Sequence, residues 1–187
     1  MSSVAPLLVA LAYLAGSVSS AIMVSRAMGL ADPRTVGSGN PGATNVLRHS
    51  GRKAAALTLA GDLLKGLVPV LLGQALGLAP AWLAAVGAAA FLGHLFPVFF
   101  GFRGGKGVAT YIGVLLGYGW PLGLAFVLAW LATAAAFRYS SLAALVAATT
   151  SPVVAVAFGI PPPVVSAMTG MVALLVWRHR SNIRNLL

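Results

Sequence analysis

The chain has 187 residues, 59% of them hydrophobic and only 7% charged, with a formal net charge of +10 and a mean hydropathy of +0.95. So little charge cannot cover a water-soluble domain of this length, which leaves a bilayer as the solvent. Zero Cys excludes disulfides, thiol nucleophiles and thiolate metal sites, and the basic excess forms no aromatic-interleaved stripe of the kind that binds nucleic acid.

Seven apolar runs follow in chain order, at residues 4–24, 54–76, 81–100, 108–118, 121–137, 141–158 and 164–177. A spanning helix needs about 20 residues, so these runs use most of the chain. The expected fold is all-α: a polytopic bundle of about seven transmembrane helices forming one integral-membrane domain over residues 1–187. The first run contains Gly16-Ser17-Val18-Ser19-Ser20 and the third contains Ala84-Ala85-Val86-Gly87-Ala88-Ala89-Ala90. Small residues of this kind let helix backbones approach closely in lipid. Residues 1–8 carry no Lys or Arg, so the basic front of a cleaved signal peptide is missing and the first run is expected to be retained.

Eleven of the twelve Lys and Arg residues fall in four short segments: Arg26 to Lys53, Arg103 to Lys106, Arg138 alone, and Arg178 to Arg184. Cationic loops stay cytoplasmic, so all four are expected on that side, with the N-terminus outside and the C-terminus cytosolic. The other junctions, 77–80, 119–120 and 159–163, are uncharged and rich in Gly and Pro. The positive balance is then accounted for by topology and by anionic lipid headgroups.

The first basic segment contains Gly37-Ser38-Gly39-Asn40-Pro41-Gly42-Ala43-Thr44-Asn45-Val46-Leu47-Arg48. Asn40 before Pro41 reads as an N-cap and a first-turn proline, so a helix is expected from there through Arg48. Its N-terminus, preceded by glycines, suits an anion, and Asn45 and Arg48 are expected to share a face. Asp62 and Lys65 lie three apart inside the second apolar run. Each would cost roughly 2.5 to 3.5 kcal/mol unpaired at a helix centre, so they are expected to pair inside the bundle.

The next segment runs from Gly93-His94 to Arg103-Gly104-Gly105-Lys106-Gly107-Val108-Ala109-Thr110. It is no P-loop, because that motif would need Gly at position 100 and Ser or Thr at 107, where Phe100 and Gly107 stand. What survives is a glycine-rich backbone able to cradle phosphate beside Arg103 and Lys106. The last segment, Trp177-Arg178-His179-Arg180-Ser181-Asn182-Ile183-Arg184-Asn185-Leu186-Leu187, places His179, Asn182 and Leu186 on one face if helical.

Asp32 and Asp62 are the only carboxylate side chains. Two-metal hydrolysis, Ser-His-Asp triads and paired-carboxylate mechanisms need more acids than this, so no metal and no cofactor are expected. The residues five after His49, His94 and His179 are Ala54, Phe99 and Arg184, which excludes the His-x4-Asp pattern of acyl-CoA-dependent glycerolipid acyltransferases.

Taken together, these motifs resemble those of the bacterial acyl-phosphate:glycerol-3-phosphate acyltransferases. The likeness lies in Ser38-Gly39-Asn40-Pro41-Gly42-Ala43-Thr44-Asn45 with Arg48, in Asp62-x-x-Lys65-Gly66, in Gly93-His94 through Gly104-Gly105-Lys106-Gly107-Val108-Ala109-Thr110, and in Arg178-His179-x-x-Asn182-Ile183. It covers nearly the whole chain in order and spacing. The resemblance implies a multi-pass protein of the bacterial inner membrane with its active site facing the cytoplasm. The implied reaction moves a fatty acyl group from acyl phosphate to the 1-hydroxyl of sn-glycerol 3-phosphate, giving lysophosphatidate and phosphate.

Under that resemblance Arg48 and Lys106 bind phosphate. Ser38, Gly39, Asn40, Thr44, Asn45 and the Gly104 and Gly105 amides complete the pocket. His179 and Asn182 orient glycerol phosphate, Ser141 lines the site, and Asp62, Lys65 and His94 shape it. Implied partners are the two substrates, membrane lipid and the enzyme that produces the acyl phosphate. A phosphate oxygen of a substrate is the expected proton acceptor; His179 is the rival, disfavoured because no carboxylate is evident to orient a histidine. The reading from another class is an organophosphate or anion transporter, which needs access from both faces, whereas the polar motifs here collect on one.

Overall fold

The computed structural model describes residues 4–185. It is built from α1 (Val4–Gly16), α2 (Ser20–Ala27), α3 (Ala43–Ser50), α4 (Arg52–Ala75), α5 (Pro80–Leu95), a 3-10 turn (Val98–Phe100), α6 (Val108–Tyr118), α7 (Trp120–Phe137), α8 (Ser140–Ala157), α9 (Pro162–Arg178) and α10 (Arg180–Arg184). No strand occurs among the described residues. Prolines at the start of α5, α7 and α9 fit first-turn positions, where no backbone N–H is needed.

Every apolar run becomes helical, with one correction. The run 4–24 is not a single helix: α1 and α2 meet at a bend of 48°. At the break the Ser17 hydroxyl donates to the Tyr13 carbonyl at 2.9 Å, competing with the helical ladder. The ammonium of Lys65 on α4 donates to the Val18 carbonyl at 2.7 Å, supplying the partner that the break removed.

The helices α4, α7 and α8, together with α5 and its 3-10 extension, are long and apolar enough to cross a membrane, and the bent α1–α2 pair adds a fifth candidate. The remaining apolar helices, α6 and α9, are shorter, at 11 and 17 residues. At a rise of about 1.5 Å per residue, α6 reaches only about half the hydrocarbon thickness. Outward-facing Leu7, Leu11 and Leu14 on α1, Leu64, Val68 and Leu71 on α4, and Leu124, Leu128 and Leu131 on α7 are exposed. Apolar stripes of this extent need lipid around them.

Inside, glycines set the spacing. The Cα of Gly16 lies against the Ala90 carbonyl and that of Gly93 against the Tyr13 carbonyl, so α1 and α5 touch backbone to backbone; Gly66 against Thr110 and Gly113 against Leu63 do the same for α4 and α6. Tyr111 of α6 stacks edge-on with Phe91 at 6.0 Å and Phe126 at 5.9 Å, and its buried hydroxyl pairs with that of Ser151 at 2.8 Å. Asp62 and Lys65 pair as expected, at 2.8 Å.

These contacts predict opposite outcomes for two glycines. The methyl of Gly113→Ala would overlap the Leu63 carbonyl, whereas at Gly170 of α9 nothing lies within 4 Å. Gly113→Ala should destabilise by about 1–3 kcal/mol, and Gly170→Ala should be neutral or stabilising by about 0.5–1 kcal/mol. Thermal unfolding in detergent checks both, and equal melting temperatures for the two variants would contradict this packing.

Candidate active site

Three basic segments that are far apart in the chain meet at one end of the bundle. They enclose two adjoining open cavities. The larger, about 650 Å³, is lined by Ser38, Gly39 and Asn40 from the first segment, Gly104 and Lys106 from the second, and Arg178 to Asn185 from the third, without His179 or Ile183. The smaller, about 570 Å³, shares Gly39, Gly104 and Arg178 and adds Asp32, Arg34, Thr35, Pro41, Phe102 and Arg103. Arg178 therefore stands between them.

Among the described residues the larger cavity has four cations on its wall, Lys106, Arg178, Arg180 and Arg184, and no carboxylate side chain. The Lys106 ammonium donates to the Asn182 side-chain oxygen. Burial, and then the neighbouring Arg178 charge, push the Lys106 amine below its ordinary value. Like charges sharing one wall repel each other, and an anion placed among them would relieve that repulsion. In the smaller cavity Asp32 is already committed: Arg34 grips both its oxygens, at 2.6 to 3.2 Å, and its hydrogen bonds hold the carboxyl down to about 2.

The glycine segment is fixed from two sides. Its amides are not free for an anion as expected, because Gly104 N–H donates to the Leu95 carbonyl and Gly105 N–H to the His94 carbonyl, both at 3.2 Å. Its carbonyls are also used: Arg178 donates through Nε to Gly105 at 3.1 Å and through Nη2 to Gly104. A guanidinium offers a planar fork that suits two adjacent carbonyls. The glycines act as the mount of Lys106. In the sequence Arg178 belongs to the basic tail and the family motif, and its adjacency to His179 gives no hint that it clasps a loop more than 70 residues away.

The first segment is also corrected. The helix begins at Ala43 with extended Gly42 as its cap, so Asn40 and Pro41 lie in the preceding turn. The proline's fixed φ serves that turn, and Asn40 is brought to the cavity wall. Asn45 is buried, and its side chain ties the loop together: its amide donates to the Pro33 and Val36 carbonyls at 2.9 and 3.0 Å, and its oxygen accepts from Ser38 N–H at 3.1 Å. Asn45 thus positions Ser38 rather than lining the pocket. Arg48 and Thr44 are exposed on α3 and border neither cavity, so Asn45 and Arg48 do not share an environment; Ser141, in the first turn of α8, borders neither.

The helix of the third segment breaks at His179, which ends α9 and precedes α10. Asn182 reaches the cavity, His179 is buried behind it, and Leu186 lies outside the described residues. His179 Nδ1 lies 2.8 Å from the Leu175 carbonyl. A carbonyl only accepts, so Nδ1 carries the hydrogen and Nε2 is the acceptor. Burial, then the Lys106 and Arg178 charges, hold the imidazole below its usual value and hence neutral. A carboxylate does approach one histidine, contrary to expectation: Asp62 lies 3.6 Å from His94 Nδ1, inside the bundle.

A family model described as glycerol-3-phosphate acyltransferase matches residues 6–187. A protein of that name from Methylococcus capsulatus is 56% identical over 97% of this chain and 91% of its own length, and one from Thioalkalivibrio sulfidiphilus is 61% identical over 94% and 87%. The chain belongs to the glycerol-3-phosphate acyltransferase family. A crystal structure of PlsY (YgiH), an integral membrane glycerol 3-phosphate acyltransferase in its glycerol 3-phosphate form, superposes with a TM-score of 0.93 at 40% identity, covering 97% of this chain and 91% of that one. Its lysophosphatidic acid form gives 0.91 at 39% identity with the same coverage. The acyltransferase fold found here is thus that of an integral membrane protein.

The lowered Lys106 amine of this acyltransferase carries a pH dependence. Anion binding needs the ammonium, so affinity for inorganic phosphate should fall as pH rises through a value below the ordinary 10.5. Titration calorimetry across the alkaline range measures this. Lys106→Arg should move the loss to higher pH, and an unmoved limb would exclude Lys106 as its source.

Proposed function

We propose that this chain is a multi-pass enzyme of the bacterial inner membrane that transfers a fatty acyl group from acyl phosphate to the 1-hydroxyl of sn-glycerol 3-phosphate. The observation that carries this reading is the cation-walled cavity, with no carboxylate side chain among the described residues that line it, holding Lys106 and Asn182 at one end of a lipid-exposed bundle. A soluble phosphorylated acceptor and a lipid-tailed phosphorylated donor both need such a place. An enzyme that makes acyl phosphate is the expected supplier.

In the step proposed, the acceptor hydroxyl oxygen bonds to the acyl carbonyl carbon, the bond from that carbon to the phosphate oxygen breaks, and the hydroxyl proton passes to phosphate. The mixed anhydride has a good leaving group, so holding the reactants together and stabilising phosphate charge supply most of the acceleration. Lys106 supplies the charge that holds the glycerol 3-phosphate phosphate group, with Arg178 beside it. Ser38, Gly39 and Asn40 form the facing wall, and Asn182 orients the glycerol phosphate. Neutral His179, with its acceptor nitrogen, remains the rival base. Roles for Arg48, Thr44 and Ser141 rest on the family pattern alone.

For topology, the proposal is seven crossings with the N-terminus outside, the C-terminus inside and the cavity cytoplasmic, supported by the Lys and Arg distribution. Cysteines placed singly as Arg138→Cys and Ile160→Cys in this Cys-free chain should react with an impermeant thiol reagent from opposite sides. Labelling from one side would refute seven crossings.

The reaction is tested by giving the purified protein labelled glycerol 3-phosphate with acyl phosphate or acyl-CoA, each with and without a chelator. Lysophosphatidate should form from acyl phosphate alone and survive chelation. Both carboxylates are engaged by cations, Asp32 by Arg34 and Asp62 by Lys65, and hard metal ions need several oxygen ligands. Comparable rates with acyl-CoA would overturn the donor assignment, and loss of activity on chelation the metal-free step.

A further inference from the structure

Neither cavity uses the buried polar group formed by α4 and α5. Asp62 and His94 are 2% and 6% exposed, in the interior of a chain with only two acids. One carboxylate oxygen lies 2.8 Å from Lys65 Nζ and 3.6 Å from His94 Nδ1. Pairing Asp62 with Lys65 already balances charge, so neutralisation does not explain why an imidazole is held there as well.

The other side of that imidazole supplies the reason. A Cβ built on Gly105 would have Nε2, Cε1 and Cδ2 of His94 as its three nearest neighbours, the furthest at 3.3 Å. The same residue accepts the Gly105 N–H on its main-chain carbonyl at 3.2 Å. His94 thus holds Gly105 by ring and by backbone, and Gly105 immediately precedes Lys106.

We propose that His94 is a positioning residue for Lys106: packed beside Asp62 with no hydrogen bond between them, it braces Gly105 from the bundle side while Arg178 fixes it from the cavity side. Lys65 extends the brace to the Val18 carbonyl at the α1–α2 break, so the bent helix and the anion-binding loop share one buried anchor. This inference rests on reading Lys106 as the cation that binds the glycerol 3-phosphate phosphate group.

The test is a mutant cycle on the full-length protein in detergent: His94→Ala, Gly105→Ala and the double variant, with Lys106→Ala alongside and melting temperatures recorded for all. Each single change should raise KM for glycerol 3-phosphate about tenfold and leave kcat within about threefold, since it displaces Lys106 without removing it; contacting residues couple. Because the three atoms nearest the Gly105→Ala methyl all belong to the ring, the double variant should be no worse than His94→Ala. His94→Asn, which keeps a polar partner for Asp62 and withdraws the ring, should reproduce the KM shift at an unchanged melting temperature. A multiplicative effect of about a hundredfold in the double variant, or a KM unmoved in folded His94→Asn, would overturn the inference. If Lys106→Ala itself kept near-normal KM and turnover, the phosphate reading would fail first, independently of His94.

Discussion

A hydrocarbon solvent offers no partner to a backbone carbonyl or amide, so every polar group that leaves a helical ladder in the bundle must be met by another part of the chain. The clearest case is the Val18 carbonyl at the bend, met by Lys65, which is held in turn by Asp62. A second is the glycine loop, whose amides return to the last carbonyls of α5 while its own carbonyls are taken by Arg178. Irregular backbone is tolerated at these places because the Val18 carbonyl, the Gly104 and Gly105 amides and the Gly104 and Gly105 carbonyls each have a partner. The glycine loop is also where the chain makes its polar site.

Rigidity at the site follows from the same accounting. With its backbone committed on both sides, the segment before Lys106 has little freedom, and the ammonium is delivered to a fixed position beside Asn182. Asn45 does comparable work for the opposite wall, using all its side-chain polar atoms to hold the loop that presents Ser38 and Asn40. Preorganised charge in a cavity costs no rearrangement during reaction. That suits a reaction whose leaving group is good and whose main requirement is to bring two anions together.

Close helix packing makes room for these anchors. Gly16 and Gly93 bring α1 onto α5, and Gly66 and Gly113 bring α4 onto α6, while Asp62 of α4 and His94 of α5 lie 3.6 Å apart. Aromatic stacking of Phe91, Tyr111 and Phe126 fills the remaining volume. Bulkier residues at these glycines would push α1 from α5 and α4 from α6.

The order of apolar runs and the collection of cations between some of them determined the all-helical membrane architecture, because hydrophobic length and charge are properties of composition along a line. The Asp62–Lys65 pair was legible for the same reason: three residues on one helix are neighbours in any fold. Residues such as Lys106, Ser38, Asn40 and Asn182 were legible as a set through the family pattern. Tertiary structure alone decided what each polar atom faces. It turned the Gly104 and Gly105 amides away from the cavity, placed Arg178 between two cavities, buried Asn45, left Arg48 outside the walls and brought Asp62 to His94. The Arg178 clasp and the Asp62–His94 approach depend on contacts between segments tens of residues apart, set by how closely the helices pack. The Asn45 and glycine-amide bonds span 7 to 12 residues through loop geometry that residue spacing does not encode.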